Sequence, residues 1–490
     1  MGFLPAAGRG GGVSIDLCPF SDYRPSRMPW LGTIPAHWEE KRAKYLFREV
    51  DERSVAGNED LLSVSHLTGV TPRRQKNVTM FMAESYTGHK LCCPGDLVVN
   101  TMWAWMGALG VAKEAGLVSP SYHVYRPADQ TALLPEYADH LLRTQPYVSE
   151  YICRSTGVHS SRLRLYPEQF LDIGIVYAPI EEQRAMLSYL NAKDRAIRRY
   201  IRNKQRLIAL LNEQKQAIID RAVTRGVDAG ARLAPSGIEW LSDVPAHWIL
   251  KPLKRWVAIN QRSLQEDTNP DYVFQYLDIG AVGTGFLVAP PERVRFGDAP
   301  SRARRILSKG DTIVSTVRTY LRAVYYVAEV TDDLVASTGF ATLTPAAGVL
   351  PEYLGYVLQS AGFVERVTAY SVGVAYPAIA ESRLGSLRLA LPPTLREQCD
   401  IVEHIKEATQ ELTIGIRQAQ REIDLVREYR TRLIADVVTG KLDVRHVPLD
   451  ALATLDGHAS PDDVEAALAD DAVEEDTYPE GAADAEDGDG

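Results

Sequence analysis

One sequence unit is written twice in this chain. Pro25-Ser26, Trp30-Leu31 and Pro35-Ala36-His37-Trp38 recur as Pro235-Ser236, Trp240-Leu241 and Pro245-Ala246-His247-Trp248. Ten of the twenty positions from Pro25 to Lys44 are identical at an offset of 210. Gly95-Asp96 then matches Gly310-Asp311, Leu134-Pro135-Glu136-Tyr137 matches Leu350-Pro351-Glu352-Tyr353, and Glu182-Gln183 matches Glu397-Gln398. An ordered series of matches with little drift means a duplicated structural unit with small loop insertions. The 490 residues are too many for one ordinary domain and suit a few.

Each copy has two parts. The first mixes β-rich runs, such as Asp96–Asn100, Asp311–Val317 and Leu387–Leu391, with short helices over Leu134–Leu142 and Leu350–Leu358. The second is one long helix. No Pro or Gly lies between Glu181 and Ala222, and steps of three and four place Leu190, Ile197, Ile201, Ile208, Leu211 and Ile218 on one seam. An offset of 215 gives Ile405, Leu412, Ile416, Ile423, Val426 and Leu433 in the same register. A narrow seam needs a partner helix, and connectivity makes the two copies antiparallel partners. Gly226 and Gly440 stand where each helix should stop.

The expected fold class is therefore α/β (mixed α+β), with two tandem globular domains separated by two long antiparallel coiled-coil helices in a pseudo-two-fold repeat. The boundaries read as a flexible leader over 1–24, domain one over 25–178, a central helix over 179–228, domain two over 235–392, a C-terminal helix over 393–445 and a disordered acidic tail over 446–490.

Charge supports a polyanionic partner only after the tail is set aside. The net charge is −10, from 54 basic and 64 acidic residues. Residues 446–490 carry 15 of the acids and no Lys or Arg, so the body has 54 basic against 49 acidic residues, a net of +5. A tail of that composition is expected to stay unfolded. The five cysteines form no CxxC, which fits reduced thiols in a cytoplasmic protein better than a disulfide frame or a zinc site. No apolar run is long enough to span a membrane.

No nucleotide-binding P-loop, zinc-protease motif, nucleophile elbow or amino-methyltransferase motif occurs, so a catalytic site and a bound metal are not expected. Three pairs of segments suit DNA instead. Arg73, Arg74 and Lys76 cluster in a polar loop of the first copy, as do Arg302, Arg304 and Arg305 in the second. After the shared Gly-Asp strand, the first copy continues through Asn100, Trp103 and Trp105, and the second through Arg318, Thr319, Tyr320 and Arg322. The frame is repeated while its tip differs, as two readers of different sequences require. Short loops just before each long helix add Arg162 and Arg164 in one copy and Tyr376 in the other.

Together the repeated Trp-Leu…Pro-Ala-His-Trp segment, the Gly-Asp strand and the Glu-Gln helix start resemble the DNA-specificity subunits of type I restriction–modification enzymes. The resemblance covers residues 25–445. It implies two target recognition domains that each read half of a split double-stranded DNA site, and helices that measure the spacer. It also implies two modification (methyltransferase) subunits and two restriction (translocase/nuclease) subunits as partners. S-adenosylmethionine, ATP and Mg would sit on those partners, with no cofactor on this chain. The alternative is a coiled-coil protein-interaction scaffold without sequence-specific DNA binding.

Overall fold

The computed structural model describes residues 17–75, 85–129, 131–157, 163–238, 241–330, 333–373 and 376–447. It divides into two compact units, residues 1–203 with 422–490 and residues 204–421. The division falls inside both long helices.

In the first unit, strands β1 (Phe47–Val50), β2 (Leu97–Val99), β3 (Leu109–Val111) and β4 (His123–Pro127) form an antiparallel sheet ordered β1-β4-β2-β3. Helices α1 (Pro135–Leu142) and α2 (Gln145–Arg154) follow. The pleat sends Leu97 and Val99 into the main core with Tyr125, Tyr137, Tyr147 and Tyr151, while Val98 faces a smaller cluster with Leu62, Val64 and Val124. Helix α3 (Ile180–Arg225) starts in this unit and is 46 residues long, ~69 Å at 1.5 Å per residue.

The second unit repeats the plan. Its strands include β5 (Val257–Ile259), β6 (Val273–Leu277), β7 (Glu292–Arg295), β8 (Ala303–Ile306), β9 (Thr312–Ser315), β10 (Val324–Tyr326), β11 (Leu334–Ser337) and β12 (Phe340–Pro345). The antiparallel sheet β5-β12-β9-β10 has the strand order of the first unit's sheet. Helices α4 (Pro351–Gln359) and α5 (Ala361–Ala369) follow, and α6 (Leu395–Val438) closes the series. A second sheet, β7-β6-β11-β8, is found among the described residues in this unit alone and contains a parallel β6–β11 pair. Among the described residues the first unit has in its place two-stranded pairs, Leu62–Ser65 with Gly69–Pro72 and Lys90–Cys92 with Gly116–Val118.

The two long helices pack antiparallel within each unit. In the first, Asp194 pairs with Arg430 and Tyr200 Oη donates to Glu422 at 2.7 Å, so partner numbers fall as the chain rises. In the second, Leu211 Cδ1 would lie 3.5 Å from a Cβ on Gly415, and Ile219, Ala222 and Val223 share a core with Ile401, Val402 and Ile405. Leu190, Ile197, Ile405, Ile423 and Leu433 are buried, whereas Ile201, Ile208, Leu211, Leu412, Ile416 and Val426 are half-buried. Near the end of α3 the fully covered residue is Ile219, with Ile218 only half-buried. A straight helix drifts against a strict heptad by that kind of step. Gly226 and Gly440 stop the helices in the left-handed region, at φ 69° and 77°.

The N-terminal reading needs correction. Residues expected to belong to a flexible leader are built into the first unit: Phe20 is buried in its core and Tyr23–Pro25 pairs with Thr33–Pro35. Tyr23 Oη donates to the Gly440 carbonyl at 2.9 Å. The acidic segment from residue 448 onward lies outside the described residues.

Candidate nucleic-acid interface

The repeated motifs form scaffold joints, and each joint is made twice. Glu182, in the first turn of α3, accepts from Trp38 Nε1 at 3.1 Å and lies 2.7 Å from His37 Nε2. Glu397, in the first turn of α6, accepts from Trp248 Nε1 at 2.8 Å and lies 3.0 Å from His247 Nε2. The next residue ties the helix to its own domain. Gln183 accepts from Leu134 N at 2.9 Å and donates to the carbonyls of Ala132 and Ala178 at 2.9 and 2.7 Å. Gln398 accepts from Leu350 N at 2.7 Å and donates to Gly348 and Pro392 at 3.1 and 3.2 Å.

The Gly-Asp pair is a turn clamp. Gly95 and Gly310 sit at φ 93° and 92°, where a side chain would be strained. Asp96 accepts from Cys93 N and grips Arg126 through two bonds of 2.9 Å. Asp311 accepts from Ser308 N at 2.8 Å, Arg262 at 2.6 Å and Thr344 at 2.7 Å. These carboxylates are spent on the fold.

The tips carried by this scaffold are anchored alike but built from different chemistry. In the first unit, Leu165 N donates to Thr101 O at 3.1 Å, and Thr156 bridges Arg164. In the second, Ile379 N donates to Thr316 O at 2.9 Å, and Val372 bridges Ala378. The loop preceding each long helix is thus anchored, by its bridged ends, against the turn that follows the Gly-Asp strand. It is separated from the helix by a short helix and a strand, Pro167–Leu171 and Gly174–Tyr177 in one unit, Glu381–Ser386 and Arg388–Leu391 in the other.

On the first tip, Trp103 is 39% exposed and stacks on half-buried Trp105 with centroids 6.0 Å apart. Trp105 Nε1 donates to Met102 O. Asn100 does not face outward: it is 4% exposed, and its amide bonds Tyr122 Oη and Met102 N. Arg164 is exposed. Arg162 and Lys76 lie outside the described residues.

The second tip is cationic. Arg318 and Arg322 are exposed, adopt left-handed backbone at φ 54° and 53°, and bracket the turn Thr319–Leu321. Such backbone costs an ordinary residue ~1–2 kcal/mol and concentrates at functional sites. Arg318 stacks at 5.0 Å on the ring of Tyr376, which is 62% exposed, and Tyr320 is 53% exposed. Thr319 is a correction: it is 2% exposed and anchors the turn by donating to Ser371 Oγ at 2.7 Å.

The other basic clusters differ from the expected polar loops. Arg73 is half-buried and Arg74 is paired with Asp60 and, at 3.1 Å, with Glu114. The Asp60 carboxylate, and secondarily Glu114, holds the Arg74 pKa above its ordinary value. Arg304 and Arg305 lie on strand β8, with Arg304 stacked at 4.6 Å on Phe296. Arg302 is exposed and is held in its charged form by Tyr276 and then by Asp278, 3.5 Å away. Sequence reading missed Arg366 and Arg383, whose guanidinium carbons each lie 4.0 Å from the ring centroid of Tyr370. Among the described residues, no cluster of His, Cys, Asp and Glu could hold a metal, and no helix is long and apolar enough to cross a membrane.

The two units follow one plan and carry unlike tips on like frames. Neither a family model nor a curated protein matches the sequence. Among solved structures, the chain shares its fold with a chain of a type I R-M system described for its complex assembly and conformational transition. The match has 17% identity and a TM-score of 0.51, over 84% of this chain and 99% of that one. It is also similar, at TM-score 0.38 and 16% identity, to the HsdS subunit from Thermoanaerobacter tengcongensis, over 84% of this chain and 98% of that one. The type I restriction-modification S subunit from M. genitalium matches at TM-score 0.32 and 13% identity, over 82% and 96%.

Proposed function

We propose that this chain is the DNA-specificity subunit of a type I restriction–modification enzyme, in which each unit reads one half of a bipartite double-stranded site. The observation that carries the reading is the pair of tips. The same turn, anchored through Thr101 in one unit and Thr316 in the other, presents Trp103 and Trp105 in the first and Arg318, Tyr320 and Arg322 in the second. Arginine donates in a planar fork that matches guanine or phosphate, while an aromatic edge suits apolar contact with bases. A protein whose frame is held by two sets of matching joints while its tips differ is built to recognise two different sequences. The shared fold with a type I system chain supports the same reading.

In this role the chain supplies specificity and no chemistry. Modification subunits would bring S-adenosylmethionine, restriction subunits would bring ATP and Mg, and two copies of each would assemble on this chain in the cytoplasm. The competing reading, a protein-interaction scaffold, leaves the unlike exposed tips without a purpose. The test is a binding-site selection from random duplexes with the full chain and its methyltransferase partner. A split motif with two defined halves is expected, and the chain alone should transfer no methyl group. Recovery of no motif, or robust methyl transfer by the isolated chain, would overturn the proposal.

A further inference from the structure

We propose that Phe286 is a base-reading residue of the second unit, placed to contact the C5-methyl group of a thymine in the major groove. The inference rests on the DNA-reading function above and names one of its contacts. Phe286 is 55% exposed, yet its ring is held in place. It lies across the buried Gly283, where an added Cβ would stand 2.7 Å from Phe286 Cζ and 2.9 Å from Cε2. Gly283 N donates to Phe286 O at 3.0 Å, and Val282 bridges Leu287, so the turn between them is closed. A ring fixed before binding loses little rotamer freedom when it meets a partner.

The turn is stapled to the cationic tip. Gly285 N donates to Val324 O at 2.7 Å, and Val324 N donates to Gly283 O at 3.0 Å, which sets Thr284 beside strand β10 at the end of its sheet. Thr284 Oγ1 donates to the Arg322 carbonyl at 2.6 Å. The exposed ring is thus carried two residues from a bond to the backbone of Arg322, itself exposed and held in left-handed conformation at φ 53°.

A phenyl ring has no N–H or O–H donor and no lone-pair acceptor, so it tells bases apart through an apolar group. On the major-groove edges of the base pairs that group is the thymine methyl, whereas the minor-groove edges differ only in donors and acceptors. The fork of Arg322 fits guanine O6 and N7 in the same groove, or the phosphates at its rim. The position of the ring and its chemistry therefore point to one groove and one base.

The probe is the duplex recovered by the binding-site selection above, with each thymine in turn replaced by deoxyuridine, which lacks only the methyl group. Binding of the full chain with its methyltransferase partner is followed by fluorescence anisotropy over a range of KCl concentrations. At one position the replacement should weaken wild-type binding about fourfold, the equivalent of ~0.8 kcal/mol for one buried methyl group. At that position Phe286→Ala should bind the thymine and deoxyuridine duplexes equally, and Phe286→Leu should keep part of the difference. The slope of log K against log salt should be unchanged in Phe286→Ala, because no phosphate contact is lost. An absence of any deoxyuridine effect in the wild type, or an undiminished effect in Phe286→Ala, overturns the methyl contact while leaving DNA reading intact. A shallower slope in Phe286→Ala also overturns it, since the turn would then serve to support Arg322. Recovery of no motif overturns both.

Discussion

Replacing Gln183 with leucine removes a joint whose cost follows from the geometry. The side chain is fully buried and makes three bonds to backbone, with Leu134 N, Ala132 O and Ala178 O. Leucine fills much the same space, so the packing loss is small. Each buried backbone group left without its partner costs ~1 kcal/mol or more, for a total of about 3 kcal/mol. Gln398→Leu orphans Leu350 N, Gly348 O and Pro392 O, but two of those bonds are longer, at 3.1 and 3.2 Å. Its cost should be smaller, about 2 kcal/mol. Hydrogen exchange during urea titration reads each unit separately, through amides of α1 and of α4. Gln183→Leu should lower protection in α1 and spare α4, and Gln398→Leu should do the reverse. A loss below ~0.5 kcal/mol in either variant would refute the role given to these glutamines as the joint between helix and domain.

Two further outcomes follow from the structure. Asp220 is half-buried in the second unit, where desolvation raises its pKa despite bonds from Ala361 N and Gln216. A carboxyl with a raised folded pKa contributes stability that is lost as pH rises from its ordinary value through the raised one. Asp220→Asn, which resembles the protonated form, should therefore raise the urea midpoint at neutral pH and give no gain below the ordinary carboxylate pKa. Matched heptad insertions after Ile208 in α3 and Ile416 in α6 keep the seam in phase and lengthen each helix by ~10 Å. Methylation mapping with the partner subunits should find the same half-sites with about three more base pairs between them, at ~3.4 Å each; an unchanged spacer in an active insertion variant would show that the helices do not measure DNA.

The parts of this architecture legible in the sequence were those that repeat. A long seam survives in the periodicity because many residues share it, so α3 and α6 could be read from Leu190 through Leu433. The duplicated joints were visible as identities, but their use was not: Glu182 meets His37 and Trp38 across about 145 positions of chain. The run Asp96–Asn100 read as β-rich, but strands such as Leu97–Val99 are too short to show alternation, and among the described residues the second sheet of the second unit has no counterpart to reveal it.

The basic residues were the least legible. A count of arginines does not tell Arg74, whose charge is met by Asp60 and Glu114, from Arg383, which rests on Tyr370. Asn100 and Thr319 read as surface groups because they are polar and follow a strand, yet their hydrogen bonds are spent holding the turn. The strained backbone at Arg318 and Arg322 leaves no sequence signal, since left-handed turns are ordinarily marked by glycine or asparagine. Phe20 was assigned to a leader because nothing nearby repeats, although it packs against Trp38, with ring centroids 5.9 Å apart.

On the proposed function, each unit is an independent reader of half a DNA site. Replacing residues 29–178 with residues 239–392 of the same chain gives two copies of one reader on otherwise unchanged helices. Genome-wide methylation mapping of cells that make this variant with its modification subunits tests the claim most directly. A split motif should appear whose two halves carry the same sequence, matching the half read by the second unit. Methylation of the original asymmetric motif, or a motif with both halves new, would contradict it.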